Sequence, residues 1–241
     1  MATRQLLGGV EFTHEWYQSL LGHLLEDGYT FRTFTRQPQE GDLLLRHDVD
    51  LSLDDALTMA EIEAELGITS TYCILLSSPL YNPFDPEQAA KIREIDALGH
   101  DIGLHFSTHG RWEDAEPTPA AVEKEVRQGQ ATLDGIVPDI SSAVSFHRPP
   151  SWVLGQRFTG FRNTYSPAYF TDIAYLADSN QRWREEPPEL DELPETLQIL
   201  THPGLWGEHD AEFEDRIQRG VIDSCRFTNR RAREEFIDPN R

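Results

Sequence analysis

Lysine is almost missing from this chain. Of its 21 basic residues only Lys91 and Lys124 are lysines, and they face 42 Asp and Glu, for a net charge of −21. So little positive charge argues against a polyanionic partner, whether nucleic acid or an anionic membrane. Cysteine is scarce too: Cys73 sits in an apolar, β-like run and Cys225 in a polar helical one. That excludes a disulfide framework or a thiolate metal site. No stretch approaches the roughly 18 apolar residues of a membrane span. The first ten residues hold one arginine and no apolar run of signal-peptide length, so the expected location is cytoplasmic. Nor does a glycine-rich phosphate loop follow any predicted strand, which argues against a phosphate or nucleotide enzyme.

What is present reads as one folded domain. The 241 residues suffice for a complete α/β unit, and apolar segments recur along the whole length. The acidic, lysine-poor composition has two readings of equal weight. One is adaptation to high salt, where repulsion is screened; the other is an ordinary acidic protein from a genome that favours Arg over Lys.

Helix and strand patterns alternate. Residues 12–25 carry apolar side chains at helical spacing and stop at Asp27-Gly28. Leu43 to Leu45 form a buried strand that ends in Arg46-His47-Asp48-Val49-Asp50. Ser52 with Asp55 opens a helix that Gly67 stops. Strands are then expected at 69–76, 101–106, 143–146, 173–177 and 197–201, and helices at 86–98 and 118–133, with a further helix in the C-terminal segment 207–241. Repeated β-then-α order predicts a parallel sheet, closed as a barrel or open and doubly wound. The Glu/Pro-rich stretch 184–195 reads as a surface loop.

Four predicted strands end in polar chemistry: Asp48 and Asp50, His105, His147 with Arg148, and His202. In a parallel sheet all such ends share one face, where ligands bind. Asp48 and Asp50, two apart on an extended strand, point to the same side, so one can bind a cation while the other stays free. His105 and His109 have the four-residue spacing that one helical turn converts into a shared metal site. Two imidazoles and a carboxylate suit Zn²⁺ hydrolysis, and Co²⁺, Mn²⁺ or Ni²⁺ also accept them. Taken singly, each of these residues is an ordinary turn or capping residue. His47, His100 and His147 read as structural or as supports for the site.

The run Gly99-His100-Asp101-Ile102-Gly103-Leu104-His105-Phe106-Ser107-Thr108-His109, preceded by Asp48-Val49-Asp50 and followed by His147-Arg148-Pro149-Pro150 and Leu200-Thr201-His202, resembles the motif series of the polysaccharide deacetylases, carbohydrate esterase family four with its nodulation-protein homology domain. The match spans residues 43–203. The split Asp pair is similar to a divergent D-x-D branch that includes cyclic-amide hydrolases and lipid-linked sugar deformylases. The resemblance implies a single domain, 1–241, built as a distorted or incomplete (β/α)7-type parallel barrel, with 1–40 as a helical extension. It implies Asp48 as general base, Asp50, His105 and His109 as metal ligands, Arg148 as the residue orienting Asp48, and His202 as general acid. The segment 178–184 is expected to line the substrate cleft, with Asp178 and Trp183 as contacts together with Trp152, because aromatic faces beside polar groups suit sugars. Trp206 reads as core.

The expected function is therefore metal-dependent hydrolysis of a C–N amide bond, de-N-acetylation of an N-acyl sugar in surface-glycan or polysaccharide metabolism. The alternatives are a small cyclic or linear amide as substrate, or a catalytically silent member that binds a glycan.

Overall fold

The computed structural model describes residues 9–112, 116–189 and 193–237. Helix α1 (His14–Glu26) is capped by Thr13, whose side chain accepts from the Trp16 amide, and it ends near the Asp27-Gly28 turn. Strand β1 (Thr30–Arg32) and the fully buried β2 (Asp42–Val49) follow. Ser52 Oγ then accepts from the Asp55 amide to start α2 (Leu53–Glu65). The chain continues through β3 (Thr71–Leu75), α3 (Pro86–Ala97), β4 (Asp101–Ser107), α4 (Pro119–Asp134) and β5 (Ala143–His147). After these come β6 (Arg162–Asn163), α5 (Pro167–Phe170), β7 (Ala174–Ala177), β8 (Leu197–Thr201) and α6 (Phe213–Ala232).

All strand pairings are parallel, in the order β6-β5-β4-β3-β2-β8-β7, with β1 beside the N-terminal half of β2. Among the described residues β6 and β7 do not pair, so the sheet is an incomplete α/β barrel rather than a closed one. Strands β2 to β5 and β8 are buried along nearly their whole length, as expected when helices cover one face and side chains fill the other. Gly103 on β4 marks how closely the strands approach: a Cβ there would lie 3.0 Å from the Ala143 carbonyl oxygen and 3.2 Å from Cys73 Sγ.

One apolar core lies under α2, α3 and α4 and a second under α1 and the β2–β8 pair. The second contains Phe12, Trp16, Tyr17 and Trp206, so within the expected 1–40 extension the described residues 9–40 give α1 to this core and β1 to the sheet. Stretch 184–195 falls partly outside the described residues, as do the first eight and last four residues. Among the described residues no helix is long and apolar enough to cross a membrane.

Candidate active site

Strand β2 carries Arg46 and Asp48 on one face, and Asp50 stands one residue past its end. The period of two puts Arg46 and Asp48 on the same face, and the chain turns at Asp50, whose amide bonds the Asp48 carbonyl. His47 and Val49 point the other way. There His47 Nε2 lies 2.9 Å from Glu63 Oε1, in a buried polar group completed by Tyr17, Ser70, Tyr72 and His100.

Asp48 is buried and held from both sides. Arg46 Nε approaches Oδ1 at 3.2 Å and Arg46 Nη2 donates to Oδ2 at 3.3 Å, while Ser145 Oγ donates to Oδ2 at 2.8 Å. Arg46 is itself 0% exposed and donates to Thr164 Oγ1, Gln198 Oε1 and Tyr165 OH. Burial works against its charge, and the Asp48 carboxylate more than compensates, so the guanidinium stays ionised. The arginine that fixes Asp48 is thus Arg46, two residues back on the same strand. Arg148 was expected in that role. It is exposed, has no ion-pair partner among the described residues, and has a left-handed backbone at φ 49°.

Asp50 meets two imidazoles: His105 Nε2 is 3.1 Å and His147 Nδ1 3.0 Å from its Oδ1. One donor atom from each of the three falls within 4.8 Å of the others. Donors about 2.0–2.2 Å from a tetrahedral ion are separated by about 3.2–3.6 Å, so both Asp50 contacts lie close to the separation a shared cation imposes. His105 Nε2 is buried and makes no hydrogen bond among the described residues, which leaves a lone pair in need of a partner. Burial opposes ionisation of Asp50, but the imidazoles of His105 and His147, with His202 further off, hold its carboxyl well below the usual carboxylate range. The residues present therefore fit a divalent cation.

His109 stands outside this group. The four-residue spacing works on a helix, but β4 runs as a strand to Ser107 and then turns, the Arg111 amide bonding the Thr108 carbonyl and Gly110 taking φ +69°. His109 is left exposed on the rim of the cleft that His105 and His147 also line. His147 stands beside Asp50 and His105 because Ser107 pairs with His147 in the β4–β5 register, which brings the ends of the two strands level.

His202 follows β8, whose Thr201 pairs with His47. Its Nδ1 lies 2.6 Å from Asp178 Oδ1, and its amide donates to Asp178 Oδ2 at 2.9 Å. Trp206 Nε1 donates to the same oxygen at 2.8 Å. Burial disfavours the imidazolium, but the Asp178 carboxylate, aided by Asp50 and Asp48, overcomes it and raises the pKa to about 9. Asp178 is 0% exposed, so it serves His202 rather than a ligand. Trp183 likewise does not meet the expectation of a cleft contact: it is 2% exposed and packs against Trp16 and Trp206. Trp152 is half-buried against the first core, edge-on to Trp112.

No protein-family model matches the sequence, and no curated protein sequence matches it. Solved structures do. The chain is similar to a family 4 acetyl xylan esterase from Clostridium thermocellum in complex with cobalt, at 16% identity and a TM-score of 0.42, over 77% of this chain and 84% of that one. It is similar to the chitin deacetylase of Colletotrichum lindemuthianum at 13% identity and a TM-score of 0.44, over 81% and 86%. A Streptococcus pyogenes deacetylase in complex with acetate matches at 13% and 0.46, over 90% and 92%. At such values the function is read from this chain's own residues.

Two placements escaped the sequence reading, that of Arg46 against Asp48 and that of His147, expected only as structural or as a support, against Asp50. Arg46 was visible as the first member of an Arg-x-Asp-x-Asp alternation, all on one face of a strand. His147 was visible as an imidazole at a strand end beside His105.

Proposed function

We propose that the protein is a metal-dependent hydrolase of a C–N amide bond, with an N-acyl sugar as substrate. The observation that supports this most is the meeting of three unlike groups at neighbouring strand ends. They are a clamped carboxylate, a carboxylate shared by two imidazoles, and an imidazole raised toward the protonated state by a buried partner. Asp50, His105 and His147 would hold a divalent cation, Zn²⁺ first among Co²⁺, Mn²⁺ and Ni²⁺. When bound there, the cation supplies Lewis acidity for polarising an acyl oxygen and for acidifying water.

Asp48 accepts the proton of the attacking water. Its two oxygens are fixed by Arg46 and Ser145, so it needs no rearrangement to do so. His202, protonated near neutral pH, gives a proton to the departing amine, and Asp178 holds the ring by its Nδ1 so that Nε2 is the proton-carrying atom free to act. Base and acid thus come from adjacent strands, β2 and β8.

The experiment is amine release from a panel of N-acyl sugars and of small linear and cyclic amides, with metal content measured on the same samples. Release from N-acyl sugars is expected, and Asp48→Asn should lower kcat/KM by about 10²–10⁴-fold while metal content holds. Release from small amides alone would move the substrate away from sugars. A metal-loaded protein that releases nothing from either set would sink the hydrolase reading and leave a binding protein.

A further inference from the structure

Because Arg46 already holds Asp48, the arginine after β5 is left without the work its position led one to expect. Arg148 is exposed, its backbone sits in the left-handed region at φ 49°, and Pro149 and Pro150 follow at once. Asn and Asp reach that region with some ease, but an arginine does not, and the residue before a proline is restricted further. Backbone held in so unfavourable a place points to a side chain whose direction matters.

The surroundings give that direction a chemistry. Arg148 lines the open cleft, of about 630 Å³, into which His105 and His147 also face. In a protein with 42 carboxylates against 21 lysines and arginines, the described lining of this cleft contains two arginines, three histidines and no carboxylate. Asp48 and Asp50 are not part of that lining and are committed to Arg46 and the imidazoles. Of the two arginines, Arg111 is neutralised by Glu125 at 2.5 Å, donates from Nε to the Ser107 carbonyl, and lies over the Phe106 ring. Arg148 is the one left uncompensated among the described residues. A lone guanidinium among described cleft residues that include no carboxylate, on a strongly acidic molecule, attracts an anion and holds it through paired N–H donors.

We propose that Arg148 is a specificity residue that reads an anionic group, phosphate or carboxylate, carried by the amide substrate. This rests on the hydrolase reading for the word substrate, but the binding test does not. Calorimetry on the full-length, metal-loaded protein, with Asp48→Asn present to prevent turnover, would use three probes that share one amide-bearing ring. These are N-acetylglucosamine, its 1-phosphate, and N-acetylmuramic acid. At least one anionic probe should bind about tenfold or more tightly than the neutral one, and the comparison of the two tells phosphate from carboxylate. Adding Arg148→Gln should bring the ratio to within about twofold, and Arg148→Lys should keep part of it, because a lysine retains the charge but not the paired geometry. Equal binding of all three probes, a preference that survives Arg148→Gln, or no measurable binding of either anionic probe at millimolar concentration would overturn the proposal. Amine release by the protein without Asp48→Asn separates the two readings. Preference with no release from these probes or from the small amides keeps the anion reader and removes the hydrolase; release without preference does the reverse.

Discussion

Two arginines compete for one carboxylate in this sequence, and side-chain burial decides between them. Arg46 is enclosed with Asp48, so replacing it by Met strands a buried charge and should cost about 3–5 kcal/mol in denaturant unfolding. Arg148→Ala, at an exposed position, should change stability by no more than about 0.5 kcal/mol. A reversed order of these two effects would mean that Asp48 is held differently from the geometry described. The two histidines near His105 separate in the same way. His147→Ala should weaken Zn²⁺ binding by more than about 100-fold in a chelator competition, and His109→Ala should leave it within a factor of about three. For His202 the pH dependence has a definite sign. Its folded pKa, about 9, is above the ordinary 6.5, so its pairing with Asp178 stabilises the fold fully below pH 6.5 and that contribution is lost as pH rises through about 9. Metal-free Asp178→Asn should therefore show an NMR titration of His202 moved down toward 6.5. Its stability deficit against the parent should shrink across the same window; a constant deficit would assign it to packing alone.

At the scale of elements, α2 is joined to the sheet by a charge as well as by apolar contact. Glu63, on the last turn of α2, takes contacts from His47 on β2, Tyr72 on β3, Ser70 just before β3, Tyr17 on α1, and His100 just before β4. Burial pushes its carboxyl up, but His47, then His100 and Ser70, pull it below the usual range. Stability from this group is present above its ordinary pKa and is lost as pH falls through the lower folded one. Glu63→Ala should cost about 3–5 kcal/mol, because five polar partners lose their acceptor inside the protein. A loss below about 1 kcal/mol would show that water replaces the carboxylate easily. The elements also show what a sequence can and cannot reveal. Helices α1 to α4 and strands β2 to β5 and β8 were legible because each is long enough to display its period and most have a capping residue or glycine stop. Strands β1 and β6, of three and two residues, are too short to show a period at all. That His109 stands apart from Asp50 and His105 has a related cause. Spacing of four implies a helix only if the backbone is helical, and nothing in Ser107-Thr108-His109-Gly110 distinguishes a first helical turn from the reverse turn found there.

For the whole molecule the dominant fact is charge. At −21 on 241 residues, like charges on the surface repel at low ionic strength, and the screening length contracts from about 10 Å at 0.1 M salt to about 3 Å at 1 M. If the composition is an adaptation to salt, the unfolding midpoint should rise steadily from 0.1 M to molar KCl, beyond what neutral osmolyte at equal osmolality produces. A flat profile would favour the reading in which Arg simply replaced Lys. The site is expected to respond less, since Arg46–Asp48 and Asp178–His202 are enclosed and bulk ions screen them weakly. The open seam between β6 and β7 fits the same picture of a sheet curled far enough to gather strand ends without closing.

Arg46, Asp48 and Asp50 also belong to a single stretch of backbone, and that sets how the machinery can vary. Arg46 and Asp48 are spaced by the pleat of β2 alone, about 6.6–6.8 Å apart along the chain, and Asp50 follows where its amide turns back to the Asp48 carbonyl, whatever the surrounding loops do. Insertions or deletions at the rim can therefore remodel the cleft while these three side chains keep their spacing, much as a lathe keeps its spindle while the chuck is exchanged.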